Sequence, residues 1–305
     1  CALFYSNPPV LPWIASWAKK LFGCKLVFVS YDLYPELALR TGALKTGSSV
    51  EKLMSHINKA VYPRLDRVVA LSSEMKDFLQ DNRAIDPEKI AVIPNWYPDG
   101  GAPRRDLTGN RFAKDLGDKF VVSYFGNMGT IQDMETILGA IRALKEESDI
   151  FFLFAGHGNK LETLKQAIAR EKLPNAQVLE YLHGQDYRDA LEISGAALIS
   201  LEAGTTGLCV PSKTYSYMME GIPLLAIMDR CDIVADIESG AGKAFHNGES
   251  DRLAREIRAM RDDPQALQAM GDRCRKLFLQ KYTPEVCLPQ YVALFRELLG
   301  TGGRA

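Results

Sequence analysis

Residues 119–133 read KFVVSYFGNMGTIQD. A β-branched and aromatic run of strand length stops at Gly126, and Asn127, Met128 and Gly129 follow before acidic, helix-like sequence begins. Strand period giving way to helical period across glycines is the unit from which α/β folds are built. The handover offers two glycines and two amides, Asn127 and Gln132, but no cation.

The same unit recurs on both sides. Upstream, KLVFVSY (25–31), RVVALS (67–72) and KIAVI (89–93) are short apolar runs separated by helical stretches such as SVEKLMSHINKAVY. Downstream, IFFLFA, AQVLEY, AALISL, PLLAIM and GKAFH repeat it, and residues 250–299 carry three helical segments and no strand. Strand, helix, strand at this spacing predicts parallel sheets with helices on both faces. Between the two series, PNWYPDGGAPRRDLTGN (94–110) concentrates proline, glycine and charge without a sustained period, which reads as a linker or surface loop. The expected organisation is a domain over 1–96, a linker over 97–118, a second domain over 119–280 and a terminal helical segment over 281–305.

Composition excludes several classes. At 305 residues and 47% hydrophobic, the chain has room for about two domains. Lys and Arg total 37 against 38 Asp and Glu, so nothing in the balance recommends nucleic acid as a partner. The six cysteines form no CxxC pairs, which favours reduced cytoplasmic thiols over disulfides or zinc. No apolar run reaches the roughly 18 residues of a membrane span, and the N-terminus lacks the order of a signal peptide.

In a doubly wound sheet, ligands lie beyond the carboxyl ends of the strands. The loops there read GNMGTIQ, GHGNK, YLHGQ, EAGTTGLCVPSK and DRC. Two of them join glycines to a following helix start, where free N–H groups and the positive dipole end favour an anion such as phosphate. Their spacing matches neither GxGxxG nor GxxxxGK[ST], so neither a nicotinamide fold nor a P-loop is indicated. Gly156 and Gly158 have a plain alternative as turn residues. In VPSKTYSYMMEGIPLLAI, Pro211 and Ser212 suit a helix start and Lys213 falls in the first turn. A lysine there opposes the helix dipole unless an anion faces it; otherwise it is a solvated surface lysine.

Taken in order, YDLYPE (31–36), VVALSSEMKDFL (68–79), KIAVIPNW (89–96), FGNMG (125–129), FAGHG (154–158), VPSKTYSYMMEGIPLLA (210–226) and ESGAGKAF (238–245) resemble the GT-B glycosyltransferases of family 4, also called group 1. The subgroup most similar adds fucosamine-type or other hexose residues during O-antigen, capsule and colanic-acid assembly. The resemblance implies two Rossmann-like domains, the second binding a nucleotide-sugar donor and the first a lipid-linked sugar acceptor, such as a polyprenyl-diphosphate sugar, at the cytoplasmic face of the plasma membrane. It implies transfer with retention of configuration. Donor contacts would come from Gly126, Asn127, Met128, Gly129, Gln132, Gly156, Gly158, Tyr181, Glu202, Ser212 and Lys213. Asp32 and Glu36 would contact the acceptor or stabilise charge, although Asp32 also suits a plain turn before Pro35.

The chain departs from the family at telling places. Asn127 and Gln132 stand where members generally carry an arginine and a lysine, leaving Lys213 as the principal cation expected on the diphosphate, beside N–H groups around Met128 to Thr130. Cys209 and Ser216 occupy the places of two family glutamates, and Glu202 is either a substitute contact to the donor sugar or an ordinary loop carboxylate. With no D-x-D in the chain, positive side chains and helix ends are expected in place of a metal or other cofactor. A sugar-nucleotide epimerase and a non-catalytic nucleotide-sugar module remain alternative readings.

Two further expectations concern the first half. At helical period Leu11, Ile14, Ala15, Ala18, Leu21 and Phe22 share one face, leaving Trp13, Trp17 and Lys20 together on another. Two tryptophans beside a lysine suit peripheral contact with an anionic membrane, with burial against the domain as the alternative. The opening CALFYSNPP, without an initiator methionine, resembles a point inside the family's first domain. That domain is therefore expected to be incomplete, less stable than the second, and weak in transfer.

Overall fold

The computed structural model describes residues 1–6, 11–101 and 106–300; residues 7–10 of the opening proline stretch, 102–105 of the expected linker and 301–305 of the tail lie outside the described residues. The chain forms two compact units. One takes the stretch up to Trp96, the short segment Gly204–Val210 and the tail from Lys281; the other takes Tyr97–Ala203 and Pro211–Gln280.

In the first unit the opening fragment is itself a strand, β1 (Ala2–Tyr5), followed by β2 (Leu26–Ser30), β3 (Arg67–Ala70) and β4 (Ile90–Val92). They form one sheet in the order β1-β2-β3-β4, every pair parallel. All five residues of β2 are buried, as befits a strand covered on both faces. Two of its helices, Ser49–Val61 and Ser73–Arg83, start on oxygen caps: Ser48 Oγ accepts from Glu51 N and Ser72 Oγ from Met75 N.

Helix Leu11–Phe22 is rotated from its expected setting. Its buried residues are Pro12, Ala15 and Ser16, whereas Ile14, Leu21 and Phe22, expected on the core face, are exposed beside Trp13 and Trp17. The small Ala15 and Ser16 allow close packing. One turn on, the Lys19 ammonium bonds Asp66 at 2.6 Å and the Arg64 carbonyl at 2.7 Å, which fixes that side inward.

The second unit holds β5 (Phe120–Asn127), β6 (Ile150–His157), β7 (Ala176–Leu179), β8 (Ser194–Ser200), β9 (Leu224–Ile227) and β10 (Gly242–Phe245). Their order is β10-β9-β8-β5-β6-β7, again all parallel. The chain leaves β5 toward β6 and β7, then returns to β5's other side for β8, β9 and β10. The loops after β5 and β8 therefore diverge at the topological switch, where an open α/β sheet leaves a crevice. Beneath them Tyr124, Phe152, Phe154, Leu225 and Ile227 are buried with Ile137, Ile141, Leu253 and Ile257 from the covering helices.

Residues 110–116 are better anchored than a linker. Asn110 Nδ2 donates to the Asp189 carbonyl, Arg111 N donates to the Asp189 carboxylate, and Phe112 and Leu116 are buried. These contacts place this part of the expected linker within the second unit.

Candidate functional site

The loop after β5 is held from several sides. β8 pairs with β5 only as far as Ser123. Beyond it the Tyr217 hydroxyl accepts from Phe125 N at 2.6 Å and donates to Phe125 O at 3.3 Å, standing in for a neighbouring strand. On the other side Met128 N donates to His157 O at 2.6 Å. Gly129 N donates to Gln132 Oε1 at 2.8 Å. The expected nest of N–H groups is thus narrower than Met128 to Thr130, because two of its three amides are already bonded, Met128 N to the end of β6 and Gly129 N within the loop. Nor does a helix begin at the loop: the next one, Glu135–Ala143, starts after the buried Gln132, Asp133 and Met134.

Gly156 and Gly158 make room for this loop. A Cβ on Gly156 would lie 1.9 Å from the Gly126 carbonyl oxygen, and one on Gly158 would lie 2.4 Å from the Met128 carbonyl carbon; both residues have positive φ. They let the ends of β5 and β6 meet.

Lys213 begins the helix Lys213–Met219, and Ser212 before it is exposed and makes no side-chain cap bond. The Lys213 ammonium donates to Asn127 O at 3.1 Å and stands 3.6 Å from the centroid of the Tyr124 ring. Burial of the ammonium holds its pKa well below the usual lysine range. One turn along, the Ser216 hydroxyl donates to Lys213 O at 2.9 Å and lies 3.2 Å from the Tyr187 hydroxyl, whose pKa burial pushes up to about 12.

A second cation at this loop escaped the sequence reading. Lys160, the residue before helix Leu161–Glu171, donates from Nζ to Gln132 O at 2.7 Å and to Glu202 Oε1 at 2.5 Å. Its position in GHGNK, at a helix start like Lys213, was the available signal. Beyond β7, the half-exposed Tyr181 ring lies between His157 and His183, at centroid distances of 5.5 and 4.6 Å.

The two carboxylates expected in the first unit have different settings. Glu36 is ion-paired with Arg83, which also donates to Tyr34 O and stacks on Tyr62 and Phe78. Asp32 follows β2, its N–H donating to Ser6 Oγ at 3.1 Å. The Gly204–Val210 segment brings Cys209 to it: Leu33 N donates to Leu208 O at 2.9 Å, and the buried Cys209 thiol is pushed up to about 12 by desolvation, then by the charge of Asp32.

Residues 2–96 match the family described as Glycosyl transferase 4-like domain. Over 302 residues, 96% of this chain and 74% of its relative, the sequence is 28% identical to the probable glycosyltransferase WbjE of Pseudomonas aeruginosa. Its relatives are named glycosyltransferases, and its fold is that of the GT-B glycosyltransferases. The chain is also 25% identical over 212 residues to the putative colanic acid biosynthesis glycosyl transferase WcaI of Escherichia coli K12, covering 66% of this chain and 51% of WcaI. In fold it is similar to HepE of Anabaena in complex with UDP, with a TM-score of 0.77 at 16% identity, covering 97% of this chain and 78% of HepE. HepE is also known in complex with UDP-glucose.

Proposed function

We propose that the second unit binds a nucleoside-diphosphate sugar, with its diphosphate at Lys213 and the Gly126–Gln132 loop and its base against Tyr181. The carrying observation is the partly buried Lys213 ammonium at the sheet's switch point, 3.1 Å from the loop carbonyl of Asn127 and 3.6 Å from the Tyr124 ring centroid. A partly buried cation with no carboxylate hydrogen-bonded to it among the described residues gains from an anion. Nucleotide sugar as the donor class is supported by HepE, which binds UDP and UDP-glucose on a similar fold.

The reaction in this reading transfers a hexose or amino sugar with retention to a lipid-linked glycan acceptor in surface polysaccharide assembly, the setting that WcaI's name supplies. The bond from the anomeric carbon to the diphosphate oxygen breaks, a bond to the acceptor oxygen forms, and the acceptor loses its hydroxyl proton. Lysine charge on the leaving diphosphate stabilises it as negative charge develops. Asp32, beyond the carboxyl end of β2 and close enough to Cys209 to raise its pKa, is the acceptor-side carboxylate in this reading.

The exposed Trp13, Trp17 and Lys20 give the enzyme a peripheral contact with anionic lipid, where such an acceptor resides. No helix among the described residues is long and apolar enough to cross a membrane.

Calorimetric titration with UDP, GDP and ADP, followed by a transfer assay, tests the reading. Binding of one diphosphate, more tightly than of its nucleoside, is expected. Equal binding of nucleoside and diphosphate, or conversion of donor to an epimer without acceptor, overturns it.

A further inference from the structure

The web around Lys160 holds more order than a surface ion pair needs. Lys160 N donates to Met128 O at 2.9 Å, Asn159 Nδ2 donates to Thr130 Oγ1 at 2.8 Å, and Glu202 N donates to Ile131 O at 2.7 Å. The loops after β6 and β8 are thus both tied to the loop after β5. Their charged side chains meet at the far end of that loop, where the Lys160 ammonium touches both the Gln132 carbonyl and the Glu202 carboxylate. Lys160 and Glu202 both keep part of their side chains in solvent, and ion pairs in such settings add little to stability.

The ends of the loop therefore carry one lysine each: Lys213 at Asn127 and Lys160 at Gln132. An ammonium has three donors. Lys160 directs one to the Gln132 carbonyl and one to Glu202, which fixes where the charge sits and leaves a donor for a ligand oxygen. Gln132 itself brings no charge, and its side-chain oxygen is occupied by Gly129 N.

We propose that Lys160 is the second cation of the diphosphate site, delivered from the β6 loop, and that Glu202 is a positioning residue that holds its ammonium in place. This rests on the donor-site reading above. Lys213 and Lys160 would divide the two phosphate groups between them, and the site would distinguish a nucleoside diphosphate from a monophosphate through Lys160.

The test titrates wild type, Lys160→Gln, Lys160→Arg, Glu202→Gln and Lys213→Gln with uridine, UMP and UDP, and with guanosine, GMP and GDP. Loss of one charge-assisted contact in Lys160→Gln should weaken the diphosphate by about tenfold or more, with little change for the nucleoside. Lys160→Arg should recover part of that loss, and Glu202→Gln should show a smaller one. If Lys160→Gln does not fold, Lys160→Met, which keeps the packed stem, takes its place. Unchanged diphosphate affinity in a folded charge-removing variant, while Lys213→Gln loses it, overturns this inference alone. An equal loss for nucleoside and diphosphate also overturns it, since that marks a merely structural role. Failure of the wild type to prefer any diphosphate over its nucleoside overturns the donor-site reading as well.

Discussion

The Lys213 ammonium lies 3.6 Å from the centroid of the Tyr124 ring, and the Tyr124 hydroxyl donates to the same Asn127 carbonyl that accepts from Lys213. The aromatic face and the carbonyl position the amine but supply no full negative charge, so enclosing it depresses its pKa. Folding this lysine away from water costs stability below its folded pKa, and the cost is relieved as pH rises through that value.

A proton linkage to donor binding follows. A diphosphate at Lys213 restores the charged form, so the pKa in the complex lies above that of the free protein. Between the two values, binding must take up a proton, and affinity must rise as pH falls toward the free-protein pKa. Calorimetry in buffers of different ionisation enthalpy reads the uptake directly. Proton release, or no exchange at any pH below the ordinary lysine range, would contradict it.

The glycine at 158 gives a structural prediction. Gly158→Ala places a methyl group 2.4 Å from the Met128 carbonyl at a positive φ. It should cost about 1–3 kcal/mol through strain and displaced backbone. Thermal unfolding should show the loss, together with weakened diphosphate affinity as the β5 loop shifts. A midpoint and an affinity both equal to wild type would show that the close approach is relaxed in solution.

Membrane contact is tested by pelleting with phosphatidylglycerol-containing vesicles. Trp13→Ala/Trp17→Ala should pellet less than wild type, and binding should weaken as salt rises because Lys20 contributes by charge. Wild type and variant pelleting equally would remove this helix from any membrane contact.

Much of this was legible from residues alone, for physical reasons. The strands are short apolar runs of high β-propensity, so β5 and β6 were legible as far as Phe125 and Ala155; only Gly126, Asn127, Gly156 and His157, with low strand propensity, lay beyond. Lys213 stood out because it opposes a helix dipole. Facing was harder to read. Helical period placed Ile14, Leu21 and Phe22 inward, but the small Ala15 and Ser16 and the Lys19–Asp66 pair turned the helix the other way. Lys160 was missed because its ammonium reaches the β5 loop only through pairing of β5 with β6, a contact 28 residues away along the chain. The amides of Met128 and Gly129 looked available because their acceptors, His157 O and Gln132 Oε1, follow from loop geometry that no local pattern encodes.

The most direct test of the donor site is the diphosphate affinity of Lys213→Ala against wild type, measured by calorimetry on protein shown to be folded. Removing a charge-assisted contact should cost about 1.5–3 kcal/mol, roughly tenfold to a hundredfold in Kd, and should leave nucleoside affinity nearly unchanged. A folded Lys213→Ala protein that binds the diphosphate as tightly as wild type would place the phosphates elsewhere and contradict the assignment.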